Sequence, residues 1–368
     1  MWIKKIEVFH LSMPMKFTFK SSQAVLNHRE TLVIKVMDEQ GNAGYGEVVA
    51  FNEPFYTQET LPDSKQVLLN RVLPLLLGKD IKHPFEIHRW MNHLNAPMAT
   101  AGVENALLDL LARREQLPIM KTLFPEETNK VIPAGIVLGD LEITTLLDQI
   151  EKNLREGYSR FKIKIKPNDG FAKLKRIRET YPDLMLLADA NRSFGPNQLS
   201  ELKEIDELGL LCLEEPLASG DLADYQKLQE QLATPLCLDE SIQTIDDLRK
   251  AIELKACQVI NLKVGRVGGL YYAKQMIEIC RRHHIRYWIG SMMESGISKI
   301  LHVHLASLKD NYIPGDLSPS ARYFSEDVIQ PEITAAKGLI HVPQGAGLGV
   351  EIKENILKAF SIDYRVID

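Results

Sequence analysis

Five ionisable residues recur at an almost constant interval in the middle of the chain. They are Lys164, Asp189, Glu214, Asp239 and Lys263, separated by 25, 25, 25 and 24 residues. Each lies at the end of a short apolar run, and a polar stretch with helical periodicity follows it. Strand and helix units of this length predict a parallel sheet with crossover helices. The five charges then fall at the carboxyl ends of the strands, where α/β barrels hold their active sites.

Eight candidate strands follow residue 130. They read VIPAGIVLG, RFKIKIK, LMLLADA, LLCLEEP, PLCLDES, QVINLKV, RYWIGSM and NYIPGD, the last at 311–316. These runs are nearly continuous in apolar residues, which indicates a sheet with both faces buried beneath helices. Between them the apolar spacing changes to three or four residues, which predicts the outer helices. We therefore predict an α/β barrel over 126–325.

The first 125 residues follow a different pattern. The strand IKKIEVFHL precedes TLVIKVMDEQGNAGYGEV, in which Gly41 and Asn42 predict a hairpin turn. Two helices are predicted near 57–78 and 98–116. After the barrel, GLIHVP and GLGVEI read as strands too short to fold alone. We expect the segment 326–368 to return to an α+β domain formed by residues 1–125.

Composition narrows the class of partner. The net charge of −5 gives no basic surface for nucleic acid or an acidic membrane. The apolar runs are too short for a signal peptide or a membrane span, so we expect a cytoplasmic protein that acts on a small molecule. The four cysteines lack Cys-x-x-Cys spacing, which favours reduced core thiols; they are Cys212, Cys237, Cys257 and Cys280.

Three of the strand-end residues are candidate metal ligands. Asp189, Glu214 and Asp239 offer the hard oxygen donors that Mg²⁺ and Mn²⁺ prefer. Singly, each could cap a helix or be a solvated strand end. Together, three uncompensated carboxylates would repel one another, and a divalent cation relieves that repulsion. We therefore expect a magnesium site at the mouth of the barrel.

Lysines bracket this predicted metal site. Lys162, Lys164 and Lys166 alternate along one strand and so share a face. An amine at the mouth, crowded by another ammonium and a metal, is expected to have a lowered pKa and to act as a base. Lys263 approaches from roughly the opposite side of the barrel. A carboxylate substrate between two amines could lose its α-proton to give an enediolate, followed by racemisation or by β-elimination.

Two other interpretations remain open from these residues. Lys164 or Lys263 could form a Schiff base in a metal-free enzyme. A barrel that only binds a ligand is the second, although it gives no reason for lysines to bracket three carboxylates. Loss of activity with EDTA would oppose the Schiff base, whereas trapping with borohydride would support it.

The motifs at these positions resemble those of the enolase superfamily, in particular its muconate-lactonizing-type branch with a Lys-x-Lys strand. The segments that carry the resemblance are GYGEV, KIKIKPNDG, LADANRS, LCLEEPL, PLCLDESI, INLKVGRVGG, WIGSMMESGIS and IPGDLSPSARYF. They are similar to the o-succinylbenzoate synthases and N-succinylamino acid racemases of Gram-positive bacteria. The resemblance implies a modified TIM barrel of the (β/α)7β type, with an α+β capping domain built from both ends of the chain.

The resemblance also implies a role for individual residues. It implies Mg²⁺ ligands at Asp189, Glu214 and Asp239, a general base at Lys164, an opposite-face lysine at Lys263 and a tuning neighbour at Lys162. The substrate-binding residues that it implies are Asn191, Arg266, Ser291, Met292 and Glu294. It further implies that the segments 16–23 and 51–56 close over the pocket.

The implied activity is that of a hydro-lyase in menaquinone biosynthesis. It dehydrates 2-succinyl-6-hydroxy-2,4-cyclohexadiene-1-carboxylate to o-succinylbenzoate, with Mg²⁺ as cofactor and Mn²⁺ as a substitute. The alternative is racemisation of N-succinylamino acids by the same residues, and a further one is dipeptide epimerisation. Ser291 and Lys299 stand where relatives commonly carry glycine and arginine, so we expect any departure in specificity rather than catalysis. The sequence leaves a homo-oligomer open.

Overall fold

The N-terminal part of the chain forms a four-stranded antiparallel sheet. The structure is a computed structural model that describes residues 1–20 and 25–368, so residues 21–23 of the predicted 16–23 loop lie outside the described residues. The first three strands are β1 (Ile3–Lys20), β2 (Val25–Asp38) and β3 (Ala43–Val48). The turn from β2 to β3 is the predicted one: Asp38 accepts hydrogen bonds from the backbone of Gln40 and Asn42, and Gly41 has a φ of +85°.

Helices cover one face of this sheet. They are α1 (Leu61–Val67), α2 (Leu73–Leu76), α3 (His88–Met91) and α4 (Pro97–Arg114), and a π-helical turn (Leu68–Val72) joins α1 to α2. Thr60 begins α1 with a capping box that includes Asp63. Helix α4 lies very close to β3, because a Cβ atom on Gly46 would be 2.0 Å from the carbonyl oxygen of Gly102. The glycines of GYGEV therefore permit helix–sheet packing.

The predicted parallel barrel sheet is present in the middle of the chain. Its first segment divides into β4 (Val131–Pro133), outside the barrel sheet, and β5 (Gly135–Leu138). The other strands are β6 (Arg160–Lys164), β7 (Met185–Asp189), β8 (Leu213–Glu214), β9 (Leu236–Leu238), β10 (Val259–Leu262) and β11 (Arg286–Ile289). Strands β5 to β11 pair in chain order in one parallel, seven-stranded sheet.

Helices alternate with these strands, as the apolar spacing predicts. They are α5 (Ile143–Arg155), α6 (Gly170–Thr180), α7 (Leu199–Asp206), α8 (Leu222–Gln229), α9 (Ile245–Glu253), α10 (Val264–Val267), α11 (Leu270–His283) and α12 (Gly296–Ala306). The apolar cluster of the barrel also contains Phe9, Leu11 and Met13 of β1. The two domains therefore share a continuous core.

The prediction of an eighth strand at 311–316 is wrong, because the structure forms no regular strand there. The segment is extended and bridges the two edges of the barrel sheet: Tyr312 donates its backbone N–H to Tyr287 of β11 (2.8 Å), and Gly135 of β5 donates to Gly315 (2.9 Å). Pro314 has no N–H to donate, which explains why no regular ladder forms here. Asp316 adds a second backbone hydrogen bond to β11, to Ile289 (3.3 Å), so the barrel closes here through a few isolated hydrogen bonds.

The C-terminal segment returns to the N-terminal sheet, but through a different strand from those predicted. Its elements are β12 (Ile329–Gln330), β13 (Leu339–His341), β14 (Glu351–Ile352), α13 (Glu354–Phe360) and β15 (Ser361–Ile367). The expectation for GLIHVP is wrong, because β13 pairs with β4 beside the barrel. Strand β15 pairs with β1 and completes the N-terminal sheet in the order β15-β1-β2-β3.

Two composition-based expectations can be compared with this fold. The four cysteines are free and buried, as predicted. Among the helices of the described residues, none is long and apolar enough to cross a membrane.

Candidate active site at the barrel mouth

The acidic strand ends lie side by side. In the sheet register, Lys164 is opposite Asp189, and Asp189 is opposite Glu214. Asp239 directly follows β9, the next strand. All three carboxylates are buried within the protein. The constant sequence interval therefore places these groups at one level of the barrel.

Lys162 and Lys164 are held by these carboxylates. The Nζ of Lys162 lies 2.8 Å from both Asp189 and Glu214, and the Nζ of Lys164 lies 2.6 Å from Asp189. Burial alone would raise the pKa of Asp189, but the two ammonium groups outweigh it and lower that pKa to about 2. Burial and the charge of Asp189 raise the pKa of Glu214 to about 8. The carboxylates are thus compensated by lysines here, which corrects the expectation that they are uncompensated.

Lys263 is held at the other end of the row. Its Nζ lies 2.7 Å from Asp239 and donates a hydrogen bond of 2.7 Å to the hydroxyl of Tyr56. Arg266 pairs with the same Asp239 carboxylate and donates to the same hydroxyl at 2.6 Å. Burial opposes the charged form of Lys263, yet the charge of Asp239 raises its pKa above the usual range.

The pKa values of Lys162 and Lys263 are raised, whereas the predicted lowering concerned a lysine at the mouth beside a bound metal. Burial lowers the pKa of Lys162, but Asp189, Asp316 and Glu214 raise it well above its usual value. Lys166, predicted to share this face, lies outside the site. Strand β6 ends at Lys164, and the Lys166 side chain is 56% exposed and pairs with Asp140 at 2.6 Å.

Asn191 connects Lys164 to a carboxylate that the sequence reading missed. Its Oδ1 accepts a 2.5 Å hydrogen bond from Lys164, and its Nδ2 donates to Glu240 at 2.9 Å. Glu240 directly follows Asp239 in the LDES motif, and that adjacency was the available signal. Burial and the charge of Asp239 raise the pKa of Glu240 to about 7. The φ of +42° at Asn191 turns the chain sharply after β7.

Asp316 and Asn261 are two further groups that the pattern did not reveal. Asp316, in the segment that closes the barrel, lies 3.2 Å from Lys162 and 2.8 Å from Arg160. Asn261 on β10 donates a 2.9 Å hydrogen bond to Glu214. Neither residue is in phase with the 25-residue ladder, so spacing alone could not identify it.

The segment 291–294 lies beyond the end of β11 and ends at Glu294, whose carboxylate joins its residues. The Glu294 carboxylate accepts hydrogen bonds from the Ser291 hydroxyl (2.8 Å), the Met292 backbone (2.5 Å) and His302 (3.2 Å). Burial opposes ionisation of Glu294, but His302 and these donors lower its pKa below the usual range. Glu294 is completely buried, so its hydrogen bonds support the backbone of this segment from the protein interior.

The donor set at the mouth fits a divalent cation. As placed, no three carboxylate, histidine or cysteine side chains of the described residues enclose a metal position, and ammonium groups lie between the carboxylates. The donors are nevertheless hard oxygens at adjacent strand ends. Glu214 Oε2 is buried and has no hydrogen-bond partner in the structure. A bound cation would satisfy this orphaned carboxyl oxygen and favour its ionised form.

The capped parallel barrel with a row of acidic strand ends between lysines defines an enzyme of the enolase superfamily. The family model for the mandelate racemase / muconate lactonizing enzyme N-terminal domain matches residues 4–123, and the model described as enolase C-terminal domain-like matches residues 145–356. The chain belongs to this family, and within it to the group of o-succinylbenzoate synthases and N-succinylamino acid racemases.

Individual relatives are similar over nearly their whole length. The o-succinylbenzoate synthase of Bacillus subtilis is 40% identical over 97% of this chain and 96% of its own. The N-succinylamino acid racemase of Thermus thermophilus is 37% identical over 96% of this chain and 95% of its own. A solved structure of an enolase superfamily member from Listeria innocua has a TM-score of 0.95 and 34% identity, and the match covers 100% of this chain and 99% of that one.

Proposed function

We propose that the protein is an o-succinylbenzoate synthase, a Mg²⁺-dependent hydro-lyase of menaquinone biosynthesis that acts on a small carboxylate. One observation carries the proposal: Lys164 and Lys263 lie at the ends of the second and sixth strands of a seven-stranded sheet. The three strand ends between them carry Asp189, Glu214 and Asp239. A substrate above the carboxylates would therefore have an amine on each side.

Exposure supports Lys164 as the base. Its side chain is 30% exposed, whereas those of Lys162 and Lys263 are 4% and 8% exposed. Lys162 is fixed among Asp189, Glu214 and Asp316 and does not reach a substrate. Lys162 thus contributes positive charge beneath the site, and its neighbour Lys164 contacts the substrate.

The proposed reaction is a syn elimination. Lys164 first loses to solvent the proton that it holds beside Asp189; it then takes the proton from the ring carbon that carries the carboxylate, which gives an enediolate. The ammonium of Lys263 stabilises this anion from the opposite side. Lys164 then holds a proton on the face from which the hydroxyl departs, so it is placed to donate that proton and release water. The electron pair of the enediolate forms the new double bond, and the ring becomes aromatic.

Asp189, Glu214 and Asp239 are the proposed ligands of Mg²⁺, with Mn²⁺ as a substitute. When bound, the cation supplies positive charge that neutralises the substrate carboxylate and the second charge developed on it. The three residues fit because their donors are oxygens and because Glu214 Oε2 has no partner of its own. For them to bind a metal, Lys162 and Lys164 must give up part of their contacts with these carboxylates.

Racemisation of N-succinylamino acids is the second candidate function. The relative from Thermus thermophilus, an N-succinylamino acid racemase, supports it. In that reaction Lys263 must itself exchange a proton with the substrate, whereas in elimination it need only stabilise charge. Lys263 is held by Asp239 and covered by the ring of Tyr56, whose centroid lies 4.7 Å from its Nζ. This restraint favours dehydration as the principal activity.

A comparison of turnover tests the proposal. The purified protein with Mg²⁺ is supplied with the cyclohexadiene carboxylate and, separately, with a panel of N-succinylamino acids. We expect kcat/KM for dehydration to exceed that for every racemisation. If the order is reversed, the same lysines serve a racemase, and the synthase assignment is wrong.

A further inference from the structure

Glu47 is a buried carboxylate that belongs to the capping domain and contacts the barrel. In β3, Gly44 and Gly46 face helix α4 at short range, and side chains on a strand alternate between its two faces. Glu47 therefore points to the opposite side from these glycines, and it is 2% exposed. The GYGEV motif thus brings a charged group to the interface between the two domains.

The carboxylate of Glu47 accepts four hydrogen bonds. One oxygen accepts from the Ser295 backbone (2.9 Å) and the Thr31 hydroxyl (3.0 Å). The other accepts from the Ser295 hydroxyl (2.8 Å) and the Ser298 backbone (3.1 Å). Ser295 and Ser298 belong to the start of α12, whose free N–H groups favour an anion. The capping domain thus supplies an N-terminal cap to a barrel helix.

Helix α12 directly follows the segment 291–294 that lies beyond β11. Met292 of this segment is buried in the apolar cluster of the capping domain. The backbone of Met293 has a φ of +56°, a conformation that needs support from its surroundings. The capping domain therefore makes an apolar contact with Met292 of the segment and, through Glu47, a polar contact with the helix start that follows it.

We propose that Glu47 is a positioning residue that sets the conformation of the segment 291–294 and, through it, the preference between substrates. Only the part of this inference that concerns substrate preference rests on the proposed function. Glu47 acts through Ser295 and the start of α12. The segment follows Gly290, where a Cβ atom would lie 2.8 Å from Cε of Lys263, so the loss of Glu47 would shift residues beside the site while leaving Lys164, Lys263 and the three strand-end carboxylates in place.

The test uses the full chain with the substitution Glu47→Gln. This change preserves the shape of the side chain but places an amide nitrogen where backbone N–H groups now donate. We expect the ratio of kcat/KM for dehydration to that for N-succinylamino acid racemisation to change by about tenfold or more, since a misplacement of about 1 Å can cost about 100-fold. Ser295→Ala, which removes one of the four hydrogen bonds to Glu47 and the hydrogen bond from the Ile297 backbone to the Ser295 hydroxyl, should change the ratio in the same direction by a smaller factor.

Asp109→Asn is the matched control. Asp109 is also completely buried, and it accepts backbone hydrogen bonds from Tyr45 (3.0 Å) and Leu348 (2.8 Å). Both substitutions should lower the Tm, but that of Asp109 should leave the ratio of the two activities unchanged. If Glu47→Gln lowers the Tm without altering the ratio, Glu47 has only a structural role and the proposal is wrong.

A second readout separates this inference from the proposed function. Amide hydrogen exchange of a peptide spanning 290–298 should be faster in Glu47→Gln than in the wild type, and unchanged in Asp109→Asn. Unchanged exchange in Glu47→Gln would overturn the positioning role. Absence of both activities in the wild type would overturn the proposed function, and the exchange result would still decide the role of Glu47.

Discussion

Lys162 and Lys164 lie two residues apart on one face of β6, but their surroundings differ. Lys162 contacts three carboxylates and is 4% exposed, while Lys164 contacts Asp189 and Asn191 and is 30% exposed. A base must reach its substrate, so accessibility separates the two roles. By the same comparison Lys166 is not a candidate base, because its side chain lies outside the site and pairs with Asp140.

Lys164→Ala should therefore abolish most of the activity. We expect the dehydration rate to fall by about 10²–10⁴-fold, the usual contribution of a general base. Lys166→Ala is the control on the same stretch of chain. Its rate should stay within about twofold of the wild-type rate, because Lys166 lies outside the site and its exposed ion pair contributes little to stability. Steady-state kinetics on both variants would check this. A Lys164→Ala enzyme that retains a tenth of the wild-type rate would rule out the assignment of the base.

Elements rather than single residues determine how the sheet and helices of the capping domain pack on each other. The close approach of β3 and α4 depends on glycine, since a Cβ on Gly44 would lie 2.2 Å from the carbonyl oxygen of Ala106 and one on Gly46 would lie 2.0 Å from that of Gly102. Both obstacles are backbone atoms of a helix. Helix α4 would have to move to accept a side chain.

Gly46→Ala should consequently destabilise the protein. We expect the free energy of unfolding to fall by about 1–3 kcal/mol or more, the cost of overpacking a core. Gly139→Ala is the matched control, because a Cβ there meets no atom within 4 Å; it should stay within about 1 kcal/mol of the wild type. Urea-induced unfolding of the two variants would measure the difference. Equal stabilities would show that the two elements adjust to each other.

Most elements could be predicted because their signals are local and repeated. The barrel strands are near-continuous apolar runs in phase with charged ends, so the parallel sheet and its active edge follow from sequence. Strand β15 has no such signal: Ile362 is 59% exposed, and the strand is specified by pairing with β1. The segment 311–316 reads as a strand from its apolar content, but Pro314 prevents a regular ladder.

The candidate site was likewise predictable only where its residues follow the strand repeat. Residues in phase with the strand repeat were found, whereas Asp316, Asn261 and Glu240 reach the site through packing that spacing does not encode. Tyr56 was expected only as part of a covering segment, and the structure places its hydroxyl on Lys263 and Asp239. The boundaries at 125/126 and 325/326 remain predictions.

The whole molecule joins two domains around one site. The capping domain supplies Tyr56 over Lys263 and Glu47 beneath the start of α12, while the barrel supplies the lysines and carboxylates. Because the domains also share an apolar core, the pocket depends on both. We therefore expect substrate preference to depend on the interface between the domains, while the barrel supplies all the lysines and carboxylates of the proposed reaction.

The dependence of dehydration on Mg²⁺ tests the central claim most directly. The purified protein is treated with EDTA, its turnover of the cyclohexadiene carboxylate is measured, and Mg²⁺ is then titrated back. We predict that activity is lost with EDTA and returns with Mg²⁺ in the wild type, but does not return in Asp189→Asn. Turnover that persists in EDTA and is lost after borohydride treatment would contradict the account, because it would indicate a Schiff base on lysine and no role for the three carboxylates as metal ligands.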